Sequence, residues 1–343
     1  MANVTVAVLG LGRIGTSVAL ALKRYNERKD ARHVFEVTCA DMRTGVREDA
    51  AKMGLGDKLE RDLFTAAAKR DIIVLALPLA DVQDAYKSIA PDLRAGAVIL
   101  DMSVLKQQSL DWANKYLGKE VHMVGMTPII NPKYLHDGLD DTLHAAADLF
   151  DKGSMLMMPT PRSAKEAVEL ATDFAGLLGA TPHFYDPAEH DGIIGLTEGL
   201  PALIALASFY MASQSSGWSD VQRVTNPAFG RLTHHLYDTH PDDLRDLLLQ
   251  NRESVIRHTD EFIGLLQSFR NLIAKNDQDA IEAALGQAAD DYNAWINKRS
   301  SGKWDDGREE VSGSSFAGNM MSGLMGGFLA NRFKGDKNGD DKK

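Results

Sequence analysis

Val4-Thr5-Val6-Ala7-Val8-Leu9-Gly10-Leu11-Gly12-Arg13-Ile14-Gly15 is the stretch on which the fold turns. An apolar, β-branched run leads into Gly-x-Gly-x-x-Gly, and residues 14–25 continue with helical period, so the glycines stand between a strand and a helix. Gly10 makes the tight turn, Gly12 lets a pyrophosphate approach the backbone, and Gly15 lets helix and strand pack closely. Unpaired N–H groups and the positive end of the helix dipole then attract the anion. Gly10, Leu11, Gly12, Arg13, Ile14 and Gly15 are the expected dinucleotide loop.

Outward from that loop, short β-rich runs alternate with helical segments as far as residue 186, the pattern of a mostly parallel, doubly wound α/β Rossmann sheet. Strands are expected at Val4–Leu9, Phe35–Asp41, Ile72–Leu77, Val98–Met102, Val121–Gly125, Met155–Met158 and His183–Tyr185. Helices are expected near 14–25, 45–53, 81–90, 107–117, 137–150 and 163–178. After Asp186 the strand-like runs stop, and amphipathic patterns predict an all-α domain over 187–297 with helices near 188–214, 218–237, 241–275 and 277–297. Residues 298–343 form a Gly/Ser/Lys/Asp-rich tail, expected to be flexible, with an apolar island from Phe316 to Phe333 that is a candidate docking element.

The 343 residues carry 38 Lys+Arg against 48 Asp+Glu, a net charge of −10 that repels phosphate backbones and argues against a nucleic-acid partner. Cys39 is the only cysteine and lies in an apolar run, so neither a disulfide nor a reactive thiol is expected. The chain opens directly into a strand-like segment without the features of a signal peptide, and no unbroken run of 18 apolar residues occurs; the expectation is a cytoplasmic protein without a transmembrane segment. No helix carries a metal-ligand spacing such as His-x-x-x-His in the expected cleft, so no metal site is expected.

The second strand closes on Asp41, whose carboxylate suits the adenosine ribose hydroxyls of NAD; Arg43, two positions on, could instead pair with a 2′-phosphate, so NADP stays open. Leu77-Pro78 ends the third strand, where it would border the nicotinamide half. Ligands in such sheets lie beyond the carboxyl ends of the strands, which makes Ser103, Lys106 and Thr127 candidate substrate contacts.

These motifs, in this order, resemble the prephenate/arogenate dehydrogenase family over about residues 4–296. The resemblance rests on Val8 through Gly15, Asp71 through Pro78, Asp101 through Lys106, Val124-Gly125-Met126-Thr127-Pro128 and Asp186-Pro187-Ala188-Glu189-His190-Asp191. It continues at Leu200-Pro201, Ala228-Phe229 through Thr233, and Asn251-Arg252-Glu253. It implies a Rossmann domain followed by a helical domain through which two subunits dimerise. It also implies oxidative decarboxylation of prephenate or arogenate with a nicotinamide acceptor, a histidine taking the hydroxyl hydrogen, and an arginine holding a substrate carboxylate.

The sequence departs from the family pattern at four places. Thr127 stands where the family has histidine before proline, Gly199 where it has the histidine of Ser-His-Leu-Pro, Val104 where it has serine, and His234 where it has arginine. Ser103 and Lys106 flank the altered serine position. Arg231 and His234, one helical turn apart, are the expected substrate-side residues of the helical domain. Glu189-His190-Asp191 reads as a structural start to the first long helix. A dehydrogenase of another small hydroxy acid, of the β-hydroxyacid type, and a non-catalytic dinucleotide-binding sensor or scaffold that docks through its tail are the competing readings.

Overall fold

Alternate residues of the first strand go to opposite faces of one sheet: Val6 and Val8 pack into one core, Ala7 and Leu9 into another, and all four are fully buried. A strand buried on both faces has no polar alternation to lose, which is why residues 4–9 read as a continuous apolar run. The computed structural model describes residues 2–55, 58–137 and 139–303. Two compact bodies are present, Met1–His258 and the segment from Thr259 onward.

In the first body the strands are β1 (Ala2–Leu9), β2 (His33–Ala40), β3 (Leu59–Glu60), β4 (Ile72–Leu75), β5 (Val98–Asp101), β6 (His122–Ile129), β7 (Ser154–Pro159) and β8 (Thr181–Phe184). They form one eight-stranded sheet in the order β3-β2-β1-β4-β5-β6-β7-β8. Only the β6–β7 pair is antiparallel, so β7 and β8 run against the rest. Helices α1 (Arg13–Asn26), α2 (Thr44–Lys52), α3 (Leu63–Ala67), α4 (Leu79–Ile89), α5 (Lys106–Tyr116) and α6 (Lys165–Leu178) flank it. Val18, Leu22, Phe174 and Leu178 of α1 and α6 cover one face, and Val82, Tyr86 and Trp112 of α4 and α5 cover the other. Burying each such side chain is worth about 1.5–3 kcal/mol, which makes the sheet a rigid support for the loops at its edge.

The doubly wound sheet agrees with the expected class, and several expected elements need correction. Strand β3 and helix α3 have no counterpart in the sequence reading, because two and five residues are too few for a period to register. The helix expected over 137–150 does not form; this segment, rich in Asp, turns instead through 3₁₀ geometry at Thr142–His144, with Asp141 accepting from the His144 N–H.

The helices continue with α7 (Pro187–Ile194), a π-helical turn over Gly195–Gly199, and α8 (Leu200–Ser213). The predicted helix 218–237 is three short pieces, α9 (Trp218–Val221), α10 (Pro227–Leu232) and α11 (His235–Asp238), since Pro227 donates no N–H and starts a new helix. The predicted helix 241–275 is two, α12 (Pro241–Gln250) and α13 (Arg252–Ala274). They part at Asn251, whose side-chain amide donates to the Asp191 carbonyl at 2.7 Å.

In the second body, the remainder of α13 turns at Asn276 into α14 (Gln278–Ser301), which runs past the expected end at 297 and stops at Gly302 in left-handed geometry, φ +67°. Asp277 caps α14 by accepting from the Ala280 N–H. The apolar island Phe316–Phe333 lies outside the described residues.

The helical run Pro187–Ser213 is long and apolar enough, by length and composition, to cross a membrane. It contains no 18 consecutive apolar residues, because Asp191, Gly195, Thr197, Glu198 and Ser208 interrupt it.

Candidate active site

In chain order β1 pairs with β2 on one side and with β4 on the other, so the crevice at its carboxyl end is the switch point where α/β sheets bind ligands. The glycine loop occupies that end. Gly10 has φ +93°, and a Cβ there would strike the Ala76 carbonyl, while a Cβ on Gly15 would strike the carbonyl of Gly10. Gly12 is different: its backbone is extended and nothing lies within 4 Å of the space a Cβ would take. Helix α1 begins there with no side-chain cap and no acidic residue in its first turn, leaving N–H donors without a capping side chain. Two glycines close the turn and the third leaves a cradle, an arrangement that fits a dinucleotide pyrophosphate.

Other members of the expected loop serve the scaffold. The Leu11 side chain is buried, its N–H donates to Asp41 Oδ2 at 2.9 Å, and its carbonyl accepts from Thr142 Oγ1 at 2.6 Å. Ile14 packs against the core. Arg13 is buried with its guanidinium turned away from any ligand role. It pairs with Asp137 at 2.5 Å, donates to the carbonyls of His144 and Leu139, and lies over the Tyr134 ring at 5.2 Å. The Arg13 side chain thereby holds Asp137, Leu139 and His144 against the start of α1.

Asp41 just follows β2 and is only 2% exposed. Its Oδ2 takes the Leu11 N–H and Arg43 Nη2, and its Oδ1 takes the Arg43 N–H and Nε at 2.9 and 3.0 Å. Burial, the largest single influence, would raise this carboxyl, yet the hydrogen bonds from Arg43 and Leu11 outweigh it and hold Asp41 below its ordinary value. The carboxylate therefore reaches the cleft through Arg43, whose side chain is largely exposed. Leu77 packs partly into the core and Pro78 precedes the first turn of α4.

The β5–α5 turn is built around buried charge. Asp101 accepts from the Tyr86 hydroxyl at 2.6 Å, from Ser109 Oγ, and from the Ser103 N–H at 2.8 Å. Ser103 is buried with its hydroxyl on the Leu105 carbonyl. Lys106 is 0% exposed, and its Nζ donates to the carbonyls of Asp101 and Ser103. Burial pulls the Lys106 amine down to about 8 against the opposing charges of Asp101 and Asp191. Ser103 and Lys106, expected as substrate contacts, shape the turn instead.

Thr127 sits on β6 two residues beyond Gly125, the last residue paired with β5, and so just past the parallel edge. Its Oγ1 lies 2.9 Å from Nε2 of His190 on α7. His190 Nδ1 lies 2.8 Å from Asp191 Oδ1, and Asp191 in turn accepts the N–H groups of Lys106 and Gln107 at 2.8 and 2.9 Å. The histidine read as structural is thus joined to the candidate threonine, across 63 residues of chain. Its signal in the sequence was its carboxylate neighbour, Asp191.

On the helical side, Arg231 is exposed in the last turn of α10, and His234 Nε2 pairs with Asp238 at 3.0 Å while its ring stacks on Tyr237. Two carboxylates that sequence reasoning did not single out share this neighbourhood. Both side chains keep exposed surface, yet the atoms crowded around them and their like charges, Asp140 on Glu198 and Asp238 on Asp140, push both carboxyls upward. Among the described residues no cluster of three or more His, Cys, Asp or Glu is placed to hold a metal ion. Gly199, in the π-helical turn, packs closely: a Cβ there would lie 2.8 Å from Val255 Cγ2, which would have to shift.

Two family models match consecutive parts of the chain, the prephenate dehydrogenase nucleotide-binding domain over residues 18–182 and the prephenate dehydrogenase dimerization domain over residues 186–287. The chain belongs to the prephenate dehydrogenase family. Among curated relatives it is similar to the cyclohexadienyl dehydrogenase of Zymomonas mobilis, 25% identical over 276 residues that cover 80% of this chain and 90% of that protein. It is also similar to the prephenate dehydrogenase of Bacillus subtilis, 24% identical and covering 87% of this chain and 77% of that one. The crystal structure of Aquifex aeolicus prephenate dehydrogenase in complex with hydroxyphenyl propionate and NAD⁺ has the same fold, with a TM-score of 0.70 at 20% identity over 86% of this chain and 98% of that one. As a member of the prephenate dehydrogenase family the chain is a nicotinamide dinucleotide-dependent oxidoreductase with a Rossmann domain and a helical dimerization domain.

Proposed function

We propose that the protein is an NAD-dependent dehydrogenase that oxidises a cyclohexadienyl acid of the prephenate or arogenate type with loss of carbon dioxide, working in the cytoplasm as a homodimer. The observation that carries this reading is the bare N-terminus of α1 behind Gly12, at the switch point of the sheet and open to an anion. Gly10, Gly12 and Gly15 would hold the pyrophosphate, with Leu77 and Pro78 beside the nicotinamide half. The bound dinucleotide supplies a two-electron acceptor for the hydrogen of a carbinol carbon.

NAD is favoured over NADP by the surroundings of Arg43. Its guanidinium is taken up by Asp41, and the charges of Asp81 and Asp243 also act on it, so a 2′-phosphate would meet carboxylates as well as the one cation. The substrate class follows from kinship with enzymes named for prephenate and cyclohexadienyl substrates. On the substrate side we assign Thr127 to the reacting hydroxyl, and Arg231 and His234 to the anionic groups, with Ser103 and Lys106 holding the β5–α5 turn in shape.

We assign residues 1–186 to cofactor binding and 187–297 to substrate binding and dimerisation. Leu206, Phe209, Tyr210 and Met211 are exposed on α8, and burial against a second copy gives that apolar surface a partner. The apolar island 316–333 is a candidate docking element by its sequence pattern; deletion of residues 299–343 separates the readings, since an enzyme should keep its turnover and a scaffold should lose its partner.

The test is calorimetric titration with NAD and NADP, followed by prephenate and arogenate with absorbance read for the reduced nicotinamide. Tight NAD binding with turnover of either acid is the expected result. NAD binding without turnover of either would reject the substrate class and leave another hydroxy acid.

A further inference from the structure

We propose that Thr127, His190 and Asp191 form a proton relay: the Thr127 hydroxyl receives the proton of the substrate's carbinol hydroxyl and passes its own to His190 Nε2, while Asp191 holds the ring. The proposal rests on the dehydrogenase reading above and supplies the base that a threonine alone cannot be.

The geometry fixes the direction of each hydrogen bond. Both oxygens of Asp191 already face backbone N–H donors, from Lys106 and Gln107, which holds the group as a carboxylate that can only accept. Nδ1 of His190, 2.8 Å from Asp191 Oδ1, must then carry the ring hydrogen. Nε2 is left with its lone pair, and the atom 2.9 Å away is Thr127 Oγ1, so the threonine hydroxyl donates. The His190 side chain is 0% exposed, so no bulk water competes for Nε2. Thr127 is only partly buried, which leaves its oxygen a second face. Hydroxyl, imidazole and carboxylate in this order are the arrangement by which hydrolases activate a serine, here with the hydroxyl on β6 and both the imidazole and the carboxylate on α7, the carboxylate anchored by the first N–H groups of α5.

The charged groups around the ring are Asp191 on its own helix and Lys106 from α5. Burial lowers the basicity of His190 most, Asp191 opposes that, and the Lys106 charge adds to it, so the ring is neutral and able to accept at neutral pH. In the reaction the carbinol C–H bond breaks with its electron pair going to the oxidised dinucleotide, and the O–H proton moves to Thr127 Oγ1 as the threonine proton moves to Nε2. The C–C bond to the ring carboxylate then breaks, carbon dioxide leaves, and its electron pair completes the aromatic ring. The oxygen, now a phenolate, takes the proton back along the same path.

The relay is tested on the full-length protein by ¹⁵N NMR of its histidines without cofactor, and by pH–rate profiles with NAD and the acid it turns over. In wild type the His190 Nε2 resonance should be that of an unprotonated, hydrogen-bonded nitrogen, and Thr127→Val should shift it. Thr127→Val, close in shape, should lower kcat by about 100-fold or more with KM for both substrates within a few-fold, and Thr127→Ser should restore most of it. His190→Gln should lose the acidic limb of the wild-type profile, a readout that general loosening of the fold would not move. Unchanged kcat in Thr127→Val, an acidic limb that survives His190→Gln, or a proton on Nε2 would each overturn the relay. If wild type turns over neither acid, the substrate reading fails, and the nitrogen spectrum then decides the relay on its own: a Nε2 resonance indifferent to Thr127→Val rejects it, and a shifted one upholds it.

Discussion

Val255 Cγ2 stands 2.8 Å from where the Cβ of any residue replacing Gly199 would be. The π-helical turn and the start of α13 therefore pack through a glycine, and any side chain at this position has to displace Val255. Gly199→Ala should be destabilised by about 1–3 kcal/mol despite alanine's better helix propensity, because the methyl has to displace a packed side chain. Val255→Ala in the same chain should remove most of that loss. A double-mutant cycle by denaturant unfolding checks it, with a coupling of about 0.5–3 kcal/mol expected; additive losses would place the contact elsewhere.

Asp191 ties three elements, with its side chain and its backbone carbonyl. It accepts the first N–H groups of α5 and the ring of His190, and its own carbonyl takes the Asn251 amide at 2.7 Å. Asp191→Ala removes a helix cap, worth about 1 kcal/mol, and leaves buried donors without partners at about 1–3 kcal/mol each. The variant should melt well below wild type, while Asp191→Asn, which keeps an acceptor oxygen, should fall between them. Equal melting temperatures for the alanine variant and wild type would mean that water replaces the carboxylate.

The glycines of the first loop should separate folding from binding. At Gly10, φ +93° and the Ala76 carbonyl leave alanine both strained and overlapped, so Gly10→Ala should lose at least about 1–3 kcal/mol of stability. At Gly12 the extended backbone and the empty space around it admit a methyl, so Gly12→Ala should melt like wild type. The same methyl occupies the path of the pyrophosphate, and NAD affinity should drop by more than tenfold, about 1.4 kcal/mol. Thermal melts and calorimetry on the two variants provide the check. A Gly12→Ala protein that binds NAD as wild type does would move the cofactor away from this helix.

How far the sequence could be read follows from where each residue's partner lies. Gly10, Gly12 and Gly15 are local features between a strand and a helix, and they were legible. Asp41 was legible as the residue at the carboxyl end of the second strand, but its occupation was not, because the Leu11 N–H that binds it comes from 30 residues earlier, beyond the end of the neighbouring strand. Thr127 was singled out by strand position, and His190 was set aside because the bond between them depends on how α7 is laid against the sheet. Lysines are almost always exposed, so a reading by residue type puts Lys106 at the surface, where the structure closes it off completely. The helix expected over 137–150 was lost for the same kind of reason: Arg13, far back in the chain, fixes that segment through Asp137 and two carbonyls.

Lys106 also predicts a dependence of stability on pH. Burial lowers its amine from the ordinary 10.5 to about 8 in the folded protein. Below about pH 8 both folded and unfolded chains carry the proton, and the folded chain bears the full cost of a buried charge. Between about pH 8 and 10.5 the unfolded chain still binds the proton that the folded chain has released, so this residue's contribution to stability rises with pH across that window. Lys106→Met keeps the length of the side chain and removes the titration. The stability of wild type relative to Lys106→Met, measured by urea unfolding at intervals from pH 7 to 10.5, should therefore shift in favour of wild type as pH rises. A difference that stays flat would mean that the carbonyls of Asp101 and Ser103 stabilise the ammonium well enough to keep its ordinary basicity, and that the β5–α5 turn holds a full positive charge at its centre.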